Sequence, residues 1–233
     1  MLRLPTALVM AMVLSVSSPA ASNERTPEWA AAEQQRGEDL FAAQDFIAAE
    51  AAYGEALDVR TRPADSRGRA ESKASAGAAQ SFRGRRSRDT ALLEGAVRDH
   101  RAALEAYTRA DTPTEWAEVQ NNLATALVWI AHVRGDGSAA ELEDAERSFS
   151  NRLEVKSPET APTEAGVVLS NIGTVQERIG DRLSDADQIT RHRQASATNA
   201  QALDALRRGG QFSYASDVER RVSPFMNRIA QVD

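Results

Sequence analysis

One pattern recurs four times along these 233 residues: a small residue, a second small residue further on, and a leucine-type position eight beyond that. The copies read Gly37–Ala49–Leu57, Gly77–Ala96–Leu104, Ala124–Ala145–Leu153 and Gly173–Ala186–Gln194. The first gap spans twelve residues in copy one and is stretched in the others. A ring-bearing side chain stands four after the second small residue in three copies, as Tyr53, His100 and Phe149, with Thr190 in the fourth. Self-similarity at such a period restricts the chain to stacked-repeat architectures, because one short unit cannot bury its apolar face alone.

Composition selects helices for those units. Alanine is abundant, β-branched runs are scarce and aromatic residues make up 5% of the chain, which favours an all-α fold. Helix starts are well marked. Thr26-Pro27-Glu28-Trp29 and Thr112-Pro113-Thr114-Glu115-Trp116 both set a Thr cap before a Pro at the first helical position. Thr112 with Glu115, and Ser138 with Glu141 after the turn Gly135-Asp136-Gly137, have capping-box spacing. Ala161-Pro162 repeats the first pattern without the cap, and Gly209-Gly210 ends the last repeat. Helices are predicted over 27–43, 46–60, 64–82, 89–109, 113–133, 139–156, 163–179 and 184–207. A last, amphipathic segment at 213–231 carries Pro224. Connections are short except a loop at 83–88.

The first 22 residues stand outside this pattern. Arg3, an apolar run over Ala7–Val16 and the small residues around Ala20-Ala21-Ser22 resemble a secretory leader. The run is far shorter than the about 20 residues that span a bilayer. The expected organisation is therefore a leader at 1–22, a repeat domain at 23–210 and a C-terminal capping helix at 211–233, with a periplasmic or secreted destination and no membrane span. Removing the leader takes one Arg and no acid, so the net charge moves from −6 to −7. That balance argues against nucleic acid as a partner. The absence of cysteine removes disulfides, thiolate nucleophiles and Cys-based zinc sites.

The repeats resemble the tetratricopeptide repeat (TPR) family. Repeat one carries the pattern as Gly37, Leu40, Ala49, Tyr53 and Ala56, and repeat three as Leu123, Ala124, Leu127, Ala145 and Phe149. Repeats two and four are degenerate, with Gln80 and Gln176 where a large apolar residue is wanted. The small positions 37, 77, 124 and 173 give units of 40, 47 and 49 residues against 34 for the simple repeat, and the extra residues are expected in the turns between helices A and B. Trp116-Ala117-x-x-Gln120-Asn121-Asn122-Leu123-Ala124 is similar to a longer-unit bacterial subtype that also occurs in kinesin light chain. The resemblance implies a right-handed superhelical solenoid of about four TPR-like hairpins, closed by the capping helix, whose A helices line a concave groove.

Groove positions implied by that resemblance are Gln35, Glu38, Asn121, Asn122, Thr125, Asn171 and Thr174, with Trp129 and Arg178 one turn further along. Asn122 and Asn171 are equivalent; a primary amide both donates and accepts, so a pair can clamp an extended backbone. Either can instead brace a neighbouring helix. A carboxylate clamp of the kind some TPR domains use is disfavoured, because its basic partners are missing here. A second surface is basic. Over 60–88, Arg60, Arg62, Arg67, Arg69, Lys73, Arg83, Arg85, Arg86 and Arg88 face only Asp65 and Glu71, a net of +7 that leaves −14 for the rest of the mature chain. Arg83, Arg85, Arg86 and Arg88 are its densest part.

His100, His132 and His192 fall in three different repeats and none has metal-ligand spacing. No nucleotide-binding or hydrolase fingerprint is present. No catalytic residue, metal or cofactor is therefore expected. The expected role is an exported scaffold that binds a peptide or helix of an envelope protein in its groove. The alternative is an anionic non-protein ligand, such as lipid headgroups or cell-wall polymer, held by 60–88. A third reading gives the unmatched last repeat to a homo-oligomer contact.

Overall fold

The computed structural model describes residues 25–135 and 139–230, and among them every regular element is helical. Nine α-helices follow in order: α1 (Pro27–Ala42), α2 (Phe46–Val59), α3 (Ser66–Ser87), α4 (Thr90–Ala103), α5 (Pro113–Arg134), α6 (Ala139–Leu153), α7 (Pro162–Gly180), α8 (Asp185–Arg208) and α9 (Phe212–Ala230). Each packs against its chain neighbours, so α1–α8 form four consecutive hairpins with odd-numbered A helices and even-numbered B helices. The leader expected at 1–22 and Ser138 lie outside the described residues.

Local chemistry accounts for most helix ends. Thr26 Oγ1 accepts from Trp29 N at 3.2 Å, and Asp45 and Asp89 cap α2 and α4 in the same way. The expected box at Thr112 does not form. Its hydroxyl is drawn back into the preceding turn, accepting from Thr108 N and donating to Thr108 O, while Glu115 pairs with Arg67. Gly210 takes a φ of 73°, the left-handed conformation that ends α8. Helix α4 stops at Ala103, short of the predicted 109. The chain then turns, and Tyr107 packs into the core with Ala70, Ala103 and Val119.

The hairpins are set by close crossings at the small A-helix residues. A Cβ added to Gly37 would lie 2.6 Å from Cδ1 of Tyr53, and one on Gly77 would lie 2.9 Å from Cε1 of His100. In repeat four, a Cβ on Gly173 would lie 2.6 Å from Cγ of Asn199, whereas Ala186 and Thr190 are exposed. The fourth copy is thus Gly173–Ala195–Leu203 with Asn199 in the ring slot, nine residues later than the sequence pattern placed it. Ala195 and Asn199 are fully buried. The extra residues of the longer units also sit elsewhere than expected. They lengthen α3 and α5 to 22 residues each and α8 to 24, against 16 for α1; only Arg88 and Asp89 separate α3 from α4. Residues 83–87 are the last turn of α3 and not a loop.

Gln80 and Gln176 have a packing role. Gln80 Nε2 donates to Glu50 at 3.0 Å and Gln176 Nε2 donates to Glu146 at 2.7 Å. Both glutamates follow the small residue of the preceding B helix. At the matching boundary between repeats two and three stand Val97 and Leu127, within one apolar cluster. Polar and apolar joints therefore alternate along the stack. The apolar cluster runs from Leu93 on α4 to Ile179 on α7, and α9 closes the far end, with Val218 and Val222 against Leu203 and Leu206.

Two tests follow from these crossings. Gly37→Ala forces the buried Tyr53 ring aside and is expected to cost about 1–3 kcal/mol, the usual cost of overpacking. Gly54→Ala, in mid-helix with nothing within 4 Å, is expected to stabilise by about 0.5–1 kcal/mol. Urea unfolding midpoints read both; equal shifts would refute the crossing. His100 is fully buried with both ring nitrogens unpartnered, and burial pushes its pKa down to about 4. The unfolded chain binds that proton near 6.5 and the folded chain only near 4, so stability drops as pH falls through this window, by about 3 kcal/mol in all. In His100→Phe that loss is absent, and the advantage of the variant over the parent should grow from pH 7 to pH 4.5. A constant difference across pH would contradict a buried neutral imidazole.

Candidate interaction surface

Side chains bridge three of the successive odd-numbered helix pairs and mark out a strip along the stack. Gln34 Nε2 on α1 donates to Ser75 Oγ on α3 at 3.2 Å, and Arg67 on α3 pairs with Glu115 on α5 at 2.8 Å. Arg221 on α9 reaches both Thr174 Oγ1 at 2.6 Å and Ser170 Oγ at 2.7 Å on α7. The groove candidates on these helices differ in their freedom. Gln35 is exposed and bonds Asp39 on its own helix. The hydroxyls of Thr125 and Thr174 donate to carbonyls four residues back, Asn121 O and Ser170 O. Arg178 is half-buried, and its guanidinium lies 3.5 Å from Val128 O. Asn121, Asn122 and Asn171 are half-buried, and their side-chain amides have no partner among the described residues. With Arg221 on Thr174 and Ser170, α9 occupies part of the strip at its far end.

The free end of the strip is acidic. A cavity of about 280 Å³ lies between α1, α3 and α5, walled by Glu38, Glu71, Glu115, Glu118 and Asn122 over a floor that includes Ala74 and Tyr107. Arg60 and Arg67 answer Glu71 and Glu115, Gln34 donates to Glu38, and Glu118 has no partner among the described residues. The local field is visible in two phenols. Burial and then the Glu38 carboxylate push Tyr53 up to about 12; burial followed by Glu71 and Glu115 does the same to Tyr107. Of the sequence candidates the cavity gathers Glu38 and Asn122. Glu71, Glu115, Glu118 and Tyr107 were missed, although Glu115, Glu118 and Asn122 are spaced to share one face of α5.

The basic segment is less basic in the fold than in the sequence. Five of its nine cations meet carboxylates: Arg60–Glu71, Arg62–Asp65, Arg67–Glu115, Lys73–Asp99 and Arg83–Glu50. Arg69, Arg85, Arg86 and Arg88 have no carboxylate partner among the described residues. Arg85 stacks over Phe82 at 5.3 Å and over Trp129 at 5.0 Å, so the two surfaces inferred separately from sequence meet at this point. Trp129 is also edge-on to His132, whose Nε2 lies 3.3 Å from Arg88. The lengthening of α3 carries Arg85 to this end, and that of α5 sets His132 beside Trp129. Among the described residues no three His, Asp or Glu side chains gather as a metal site would require, and no helix is long and apolar enough to cross a membrane.

Removing the Arg85 guanidinium uncovers the Trp129 ring. In a chain whose other two tryptophans are Phe, Arg85→Ala is expected to red-shift Trp129 emission and raise its quenching by iodide, at a stability cost of about 1 kcal/mol. Unchanged emission would mean that the stack does not form in solution.

No protein-family model and no curated protein matches the sequence.

Proposed function

We propose that the chain is an exported, tetratricopeptide-repeat scaffold, periplasmic or secreted, that holds a segment of another envelope protein on the face of its A helices. The observation that carries this reading is the acidic cavity beside Asn122. It combines an amide with no internal partner, an uncompensated carboxylate in Glu118, and an apolar floor, which together suit an extended backbone bearing a basic side chain. The three glycine crossings and the stacked hairpins support a right-handed superhelix of that repeat type, in which the A helices line the inner surface. The scaffold performs no chemistry itself.

The alternative, an anionic non-protein ligand held by 60–88, has weaker support, since five of the nine cations there are paired within the fold. The homo-oligomer reading has α9 already committed to α8 and α7 through Val218, Val222 and Arg221.

Selection of a displayed random-peptide library on the purified chain tests the proposal. Enriched peptides should carry Lys or Arg, and Glu118→Lys with Asn122→Ala should weaken the best of them by about tenfold, the loss of one charge-assisted contact. Equal affinity for parent and variant would remove the cavity as the site.

A further inference from the structure

We infer that the cleft between the α1–α2 turn and the extended end of α3 is a second docking site, for an acidic protein segment that carries an apolar side chain beside its carboxylates. Two adjoining cavities, of about 530 and 320 Å³, share Gln44, Phe46 and Arg86. The larger is walled by Ile47 and Leu92 as well as Phe46. Ile47 is 68% exposed and nearby Phe82 41%, an apolar surface with no cover among the described residues. Phe41, Phe46 and Phe82 pack on one another, two pairs edge to face and one stacked at 4.9 Å, so this wall is rigid before any partner arrives.

The smaller cavity supplies the charge. Arg85 is held flat between Phe82 and Trp129, which fixes its planar fork without neutralising it. Arg86 is exposed and borders both cavities with no carboxylate partner. The acids at the larger cavity are already engaged. Asp45 and Asp89 cap α2 and α4. Glu50, close by on α2, pairs with Arg83 and Gln80. The only charged side chains lining the smaller cavity are Arg85 and Arg86, and two guanidinium forks beside an apolar pocket match carboxylates flanking a Leu or Phe. A bilayer fits less well. The rings lean on each other and line hollows, where a membrane surface favours projecting apolar side chains. This site stands apart from the acidic cavity and survives if that one fails.

The test is selection from a displayed library of about a dozen positions drawn from Asp, Glu, Ser, Leu and Phe, with anisotropy titrations of the enriched peptide. Expected winners combine acids with a Leu or Phe. Replacing that anchor by Ser, or Arg86→Glu in the protein, should each cost about tenfold, and Arg85→Glu with Arg86→Glu should abolish binding. Glu118→Lys should leave it unchanged, which separates this site from the first. Arg86 has no hydrogen-bond or ion-pair partner among the described residues, so its variant should melt only slightly below the parent, from reversing a cation in the last turn of α3. The inference is overturned by any of these results: no enrichment, full affinity in the Arg85/Arg86 variant, or Arg86-dependent binding only to phosphatidylglycerol vesicles. Self-association of the chain that Arg86→Glu dissolves would equally overturn it.

Discussion

Everything in this molecule hangs on the distance at which helix A can approach helix B. Where Gly37, Gly77 and Gly173 sit there is no room for a Cβ, because Tyr53, His100 and Asn199 lie directly against the backbone. Close approach of this kind gains dispersion contacts along both helices and fixes their register, since a bulky side chain can enter only where its neighbour has none. Three hairpins share that crossing and the third repeat sets Ala124 and Phe149 in the same places, so their outer faces present comparable surfaces to one another and stacking follows. The side chain in the slot varies from phenol to imidazole to amide, so shape matters there more than chemistry. The imidazole of His100 has no hydrogen-bond partner among the described residues, and burial pushes its pKa down to about 4.

Length added beyond the crossing becomes surface. In repeat one the A helix ends five residues after Gly37; in repeats two and three it continues ten residues past Gly77 and Ala124. Those additional turns carry Arg85, Arg86 and His132, next to Phe82 and Trp129 at the position where α1 ends. Glutamates gather nearer the opposite ends of the same helices, at Glu71, Glu115 and Glu118. The A-helix face is consequently split by charge along the helix axes, acidic toward one end and basic-aromatic toward the other. A face of that kind can orient a partner as well as hold it, because reversing the partner would set like charges together.

Much of the fold was legible from residues. Thr26-Pro27 and Ala161-Pro162 marked helix starts, Gly209-Gly210 marked an end, and the helix boundaries mostly fall within a few residues of those predicted. The exceptions have physical causes. The fourth repeat slipped because its slot holds Asn199, and a search for a ring passed over an amide although Leu203 stood in the right place. The loop expected at 83–88 is instead helix to Ser87, because Gly84 packs closely against Leu93. Gln80 and Gln176 looked like decay of the repeat because their partners, Glu50 and Glu146, belong to the preceding unit. The basic segment looked unopposed for the same reason: the carboxylates that answer Arg67, Lys73 and Arg83 come from other helices. Periodicity reports what a unit needs from itself, and it is silent on what neighbouring units supply.

The central claim is that the A helices form the working face of the stack. Amide chemical shifts of the labelled chain, followed as a selected basic peptide is titrated in, address it directly. The perturbed amides should concentrate on α1, α3 and α5 around Glu118 and Asn122, with α2, α4 and α6 largely unmoved. Perturbations centred on the B helices would contradict it and move the function to the opposite side of the molecule.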